Sequence, residues 1–180
     1  MEYLKKTLTI LGIILTFYIL YFLQINFFSW FNIAGIKPNL FIVLVLCLGL
    51  FIGKSVSIPF GFFCGIYLDL LTNRQIGISG LAYATIGLFG VYLDRNFSKN
   101  SKITILLMVA GSTVLYEVLN YIYIMIRNEI PFEFLGFIKI LSIEVLFNVL
   151  LTIIIYPLIK SEGNYLEELF KTKKIMTRYF

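Results

Sequence analysis

Asp69, Glu117 and Glu144 each lie inside an otherwise apolar stretch of the chain. Three carboxylates could relay protons, bind a cation or perform acid–base chemistry, but each of these needs partner groups at suitable spacing. The sequence contains no histidine. That removes the commonest general base and metal ligand, together with every Ser-His and Cys-His arrangement. No Gly-rich phosphate loop, metal-ligand spacing or nucleophile elbow is present. The acids therefore read as charges held at membrane depth, which costs about 2.5–3.5 kcal/mol each on insertion scales, and not as an enzyme site.

Each acid sits in a pattern of helical spacing. Gly61, Gly65 and Asp69 recur at i, i+4 and i+8 and so share one helix face. The glycines let a neighbouring helix approach closely, as in small-xxx-small contacts. Asp69 precedes the turn Thr72-Asn73-Arg74-Gln75, from which Arg74 could reach back to neutralise it. Gly77 and Gly80 open the next helix, and Gly87 and Gly90 lie deeper in it. The plain reading is tight packing of these two helices, with Asp69 fixing the hairpin or meeting a partner. Thr113, Glu117 and Asn120 mark one polar stripe, and Glu144, Asn148 and Thr152 another. Polar groups in lipid seek one another, so Glu117, Asn120, Glu144 and Asn148 read as a buried polar network between two helices. A partner-binding face or a small polar cavity is the functional alternative.

The composition supplies the helices that such stripes need. Of 180 residues, 59% are hydrophobic and 14% charged, against about 45–50% and 25% in a soluble domain. Mean hydropathy is +0.91. Apolar runs at Thr7–Phe28, Asn39–Gly53, Ser55–Thr72, Ile76–Leu93, Ile103–Ile126 and Phe134–Ile159 predict an all-α membrane bundle of about six transmembrane helices. This bundle occupies residues 1–159, with a basic cytoplasmic tail at 160–180. The first run is longer than a signal-peptide core of about 7–15 residues and lacks a small-residue cleavage site. It is expected to be a retained span, closed by Trp30 and Phe31. Asn39–Gly53 would cover only about 22 Å as a helix, and the Gly53-Lys54-Ser55 link makes the second and third spans antiparallel neighbours.

Eleven of the 15 basic residues fall on the side of both termini, leaving Lys37, Arg74, Arg127 and Lys139 on the other. This bias places both termini in the cytoplasm. It also accounts for the net charge of +5 without invoking nucleic acid. Asp69, Glu117 and Glu144 then lie between the middle and the outer half of the membrane. In the tail, Tyr165, Leu166, Leu169 and Phe170 recur at helical spacing before Lys171, Lys173, Lys174 and Arg178. This segment is either an interfacial helix drawn to anionic membrane lipids or a basic tail that enforces topology. Cys47 and Cys64 lie in apolar runs and read as small core residues.

Four sequence elements together resemble the rod shape-determining MreD family. They are Lys37-Pro38-Asn39-Leu40 with the apolar span behind it, the Gly53-Lys54 link, the run Gly61-Phe62-Phe63-Cys64-Gly65-Ile66-Tyr67-Leu68-Asp69-Leu70-Leu71, and Ile76-Gly77-Ile78-Ser79-Gly80-Leu81-Ala82-Tyr83. In that family a Pro-Asn or Pro-Asp opens the second span, a Gly-Phe-x-x-Gly-x-x-x-Asp-Leu run marks the third, and a Leu-Gly opens the fourth; here Ile76 replaces the leucine. The resemblance covers most of the chain, including Tyr156-Pro157 late in the last span, and is most specific between residues 37 and 90. It implies a non-enzymatic inner-membrane subunit of the bacterial cell-elongation machinery, supporting rod shape and peptidoglycan synthesis and using no cofactor. Its implied partner is a bitopic MreC-like protein. Through the complex it would connect to MreB-like filaments, a RodA-like glycosyltransferase and a penicillin-binding transpeptidase. Gly61, Gly65, Asp69 and Gly77 occupy family-motif positions, whereas Glu117 and Glu144 match none.

The fold of that family is also similar to the substrate-binding subunits of energy-coupling-factor vitamin transporters, which supply the first alternative. Those subunits carry a small-residue stripe of Ala-x-x-x-Ala type in the first span. Here Thr7–Phe28 contains Gly12 and no alanine, and both this and the short Thr72–Gln75 turn favour the scaffold. The second alternative is a small cation or proton transporter that uses the three acids.

Overall fold

The computed structural model describes every residue except 1, 29, 31, 34, 73–75, 130 and 172–180. The apolar runs form α1 (Glu2–Phe22), prolonged by a π-helical turn at Leu23–Phe27, then α2 (Leu40–Phe51), α3 (Lys54–Leu71), α4 (Ile78–Asn96), α5 (Lys102–Asn128) and α6 (Phe134–Phe170). Among the described residues there is no strand, and a single isolated bridge joins Ile33 and Ile36. Four helices are long and apolar enough to cross a membrane, namely α1 with its π turn, α3, α5 and α6.

The other two helices depart from the pattern of simple spans, each for a physical reason. α2 has 12 residues, fewer than the 15 of the apolar run, and rises only about 18 Å. Pro38 and Asn39 stay outside the helix, Asn39 at φ −113° and ψ 89°. At the other end Gly53 takes φ +109°, a left-handed conformation that glycine adopts without strain. The apolarity of α2 serves the interior of the bundle, since 10 of its residues are buried. α4 carries Ser79, Gly80, Gly87 and Gly90 and lies against both α2 and α3. A side chain on Gly61 would meet the Tyr83 carbonyl oxygen at 2.7 Å, and one on Gly49 the Gly87 carbonyl oxygen at 2.6 Å. The backbones of α2, α3 and α4 thus touch directly, the arrangement that small residues permit in membranes.

Around this three-helix centre, Phe41, Leu46, Ile86 and Val109 form one apolar cluster that α5 and α6 complete. α1 joins it through Phe17, and its Ile13 is buried in a second cluster with Leu48 and Ile52. Phe17 meets Phe41 with ring centroids 5.2 Å apart. Most other α1 side chains point outward, and Leu4, Leu8, Leu11 and Leu15 are exposed. A surface so apolar would aggregate in water and belongs against acyl chains.

α6 runs without a break past Lys160 to Phe170, so Leu166 and Phe170 belong to a long helix and pack beside Ile13, Leu48 and Ile52. Lys173, Lys174 and Arg178 lie outside the described residues. The end of α6 is fastened by charge. Lys99 Nζ donates to the Leu50 carbonyl oxygen (3.0 Å), Asp94 Oδ1 (2.6 Å) and Glu167 Oε1 (2.8 Å). Lys171 Nζ donates to the same Leu50 oxygen (2.6 Å) and to Asp94 Oδ2 (2.5 Å). The two lysines therefore cover the carbonyl of Leu50, one of the last carbonyls of α2 that have no partner within the helix.

Burial alone would raise the Asp94 carboxyl, but the hydrogen bonds from Lys171 and Lys99 outweigh it and hold its pKa below the ordinary carboxylate value. Asp94→Asn should therefore accelerate tryptic cleavage at Lys160 and Lys171 severalfold. The loss is about 1 kcal/mol, because the cluster is partly exposed to solvent. A depressed carboxylate stabilises above its unfolded pKa of about 3.9 and loses that contribution as pH falls through the lower folded value. The difference in melting temperature between wild type and Asp94→Asn should accordingly stay constant down to about pH 4 and close below it.

Candidate functional site

The site grows from helix ends that need hydrogen-bond partners. The first N–H groups of a helix have none of their own, and at α2 and α4 they are met by side chains from other helices. Asp69, near the end of α3, accepts from Gly77 N (2.9 Å) and Ser79 N (3.1 Å) through Oδ2 alone. Gly77 is the cap of α4 at φ +106°, where a side chain would be strained. A carboxylate at a helix N-terminus also meets the positive end of its dipole. Asp69 is 1% exposed, and among the described residues its Oδ1 has no hydrogen-bond partner. Arg74 lies outside the described residues.

At α2 the donors are Asn39 N and Leu40 N. Asn39 N donates to Asn148 Oδ1 at 2.8 Å, and Leu40 N donates to Gln24 Oε1 at 3.1 Å. Asn148, fully buried in α6, donates through Nδ2 to Thr113 Oγ1 of α5 at 3.0 Å. Tyr83 of α4 donates its hydroxyl to Asn39 Oδ1 at 3.0 Å. A continuous set of polar contacts thus ties α1, α2, α4, α5 and α6 at one level. The two polar stripes face each other at Thr113 and Asn148. Thr152 turns back on its own helix and donates to the Asn148 carbonyl oxygen at 2.6 Å.

Beside these contacts is a cavity of about 820 Å³, lined by Asp69, Glu117, Asn120 and Glu144 together with Asn39, Tyr83 and Tyr116. Its floor is buried, with Asp69 at 1%, Glu144 at 6% and the rings of Tyr83 and Tyr116 stacked 5.0 Å apart. Glu117 and Asn120 are half-buried on the wall, and Lys37 and Arg127 are exposed at the rim. Arg127 Nη1 donates to the Tyr123 hydroxyl at 3.0 Å. The fold therefore brings Asp69, Glu117, Asn120 and Glu144 to one cavity and places Asn148 just behind it in the polar contacts. Gly61 and Gly65 lie elsewhere, against the backbone of α4. The arrangement can hold charge and hydrogen-bonding groups away from lipid. Among the described residues no group of three or more Cys, Asp or Glu side chains is placed to hold a metal ion.

Sequence reasoning missed Gln24, Asn39 and Tyr83 as contributors. Asn39 follows a proline and precedes an apolar helix, which is the position of an N-cap residue. That signal was available, although its side chain turns to Tyr83 and its own N–H to Asn148.

A family model described as rod shape-determining protein MreD matches residues 4–161. No curated protein and no solved structure matches the chain.

Proposed function

Because the chain belongs to the MreD family of rod shape-determining membrane proteins, we propose that it is a non-enzymatic subunit of the cell-elongation complex in the bacterial plasma membrane. In this reading it binds a bitopic MreC-like protein and so supports peptidoglycan synthesis and rod shape. MreB-like filaments, a RodA-like glycosyltransferase and a penicillin-binding transpeptidase associate with it through the complex. Both termini face the cytoplasm, which puts the charge cluster of Lys99, Asp94 and Lys171 inside and the polar cavity outside.

The family match over residues 4–161 carries this reading. The geometry supports it in two ways. The buried polar groups described above are used to hold helices and helix ends together, as a structural subunit requires. α1 meanwhile leaves long apolar faces to the bilayer, where a partner helix could pack. Helix association in lipid rests on such packing, and single polar contacts add only about 0.6 kcal/mol on average. No one neutral substitution should therefore abolish the complex while the bundle stays folded.

The test is to purify the tagged chain from its native membrane in nanodiscs and identify what accompanies it by mass spectrometry. The expected result is an MreC-like protein together with wall-synthesis enzymes. Recovery of paired ATPases with a transmembrane coupling subunit would overturn the reading in favour of vitamin uptake.

A further inference from the structure

The cavity carries more polar character than holding the helices together requires. Asp69 uses one oxygen for both α4 cap contacts, its other oxygen is buried without a described partner, and the residue borders a space of about 820 Å³. A buried polar atom left without a hydrogen bond costs roughly 1–3 kcal/mol, and more when charged. Such a carboxylate gains from a positive charge brought close to it. The volume falls in the range of small-molecule sites, about 300–1,000 Å³.

The lining decides the class of ligand. Asp69, Glu117 and Glu144 are its acids, and its described cations, Lys37 and Arg127, stand exposed at the rim. Solvent and salt screen the rim charges, whereas the buried acids act through a low-dielectric floor. The floor thus favours a cation and disfavours an anion. A bare metal ion does not fit, since the acids are not grouped for coordination and the space is far larger than an ion. The buried rings of Tyr83 and Tyr116, stacked on each other, back the same floor and keep water from screening its acids.

We propose that this cavity is a binding site for a compact organic cation, whose ammonium or guanidinium group is held by the half-buried carboxylate of Glu117 and by the negative charge of Asp69 and Glu144 in the floor behind it. The assignment is independent of partner binding by the rest of the bundle.

Equilibrium dialysis of radiolabelled agmatine and spermidine tests the proposal, using the full chain in nanodiscs of zwitterionic lipid. Wild type should bind at least one of the two saturably, at one site per chain, in the presence of millimolar sodium and magnesium. Asp69→Asn keeps a carbonyl oxygen for the α4 cap but loses the charge. It should bind roughly tenfold or more weakly, as expected for losing a negative charge beside the bound cation, while melting only slightly below wild type. If Asp69→Asn does not fold, Glu117→Gln on the half-buried wall is the substitute and should weaken binding in the same direction. Three results would overturn the proposal: no saturable binding of either probe to wild type, equal binding to the folded variant, or displacement of the probe by magnesium alone. A photo-cross-linker at Ile78 that captures a basic segment of another protein in cells would also overturn it, assigning the cavity to a protein side chain instead.

Discussion

Replacing Gly65 by leucine is expected to remove most of the folded protein from the membrane. A Cβ atom at position 65 would lie 2.5 Å from Gly80 Cα, Gly80 N and Ser79 C, all backbone atoms that cannot turn aside. α3 and α4 would have to separate. Overpacking of this kind costs about 1–3 kcal/mol and occasionally more. Here the separation also pulls Asp69 away from Gly77 N and Ser79 N, adding about 1 kcal/mol or more per lost contact. The summed loss, about 3 kcal/mol or more, is a large share of a typical folding free energy. Membrane abundance of the full-length chain and its melting temperature in detergent are the measurements. Gly65→Ala should shift both in the same direction by less. Gly12→Leu is the control, because nothing lies within 4 Å of a Cβ added there. Wild-type abundance and melting of Gly65→Leu would mean that the α3–α4 contact is not as described. The same contact makes Gly65 a poor probe of partner binding, since its substitution damages the bundle first.

That contact is a case in which spacing alone was informative. Gly61, Gly65 and Asp69 share a helix face through a periodicity that is local, so their common neighbour could be inferred from the chain itself. The positions of the helices were legible for a similar reason, since long apolar runs admit few structures in lipid. The length of α2 was not legible. Apolarity looks the same whether it faces acyl chains or other helices, and α2 is buried on nearly all sides. Nor did the sequence reveal that α6 continues to Phe170, because the charges after Lys160 look like a boundary until Lys171 is seen reaching Leu50 and Asp94.

The candidate site was legible in part for the same physical reason. A charge within an apolar run stands out, which drew attention to Asp69, Glu117 and Glu144. Thr113 and Asn148 stood out as members of polar stripes. By contrast, Gln24, Asn39 and Tyr83 work through contacts between distant parts of the chain. Asn39 meets Tyr83 across 44 positions and Asn148 across 109. Gln24 lies in the π-helical turn after α1 and reaches Leu40 N from there. No local period announces such pairs. They are fixed by how α2 is set into the bundle, which depends on close approach at Gly49, Gly87 and Gly90.

Substitution of Asp69 should separate two roles that one carboxylate combines. Asp69→Ala leaves Gly77 N and Ser79 N without their acceptor at the start of α4. An unsatisfied buried donor costs about 1–3 kcal/mol; Ser79 N bears the fuller cost, because its contact is buried while that of Gly77 is only part-buried. The expected destabilisation is about 2–4 kcal/mol, read as a lower melting temperature in detergent. Asp69→Asn should behave differently. Because Oδ2 alone makes both contacts, one amide oxygen can replace it, and the amide nitrogen then occupies the place of Oδ1, which has no described partner. What remains is the lost attraction between a negative charge and the helix N-terminus, typically about 0.3–1 kcal/mol. Asparagine should therefore fold nearly as well as aspartate while alanine does not. Equal damage from both variants would mean that the negative charge itself holds α3 to α4. The unused oxygen would then be part of the fold's own electrostatics, and the cation-binding experiment would have to rest on Glu117.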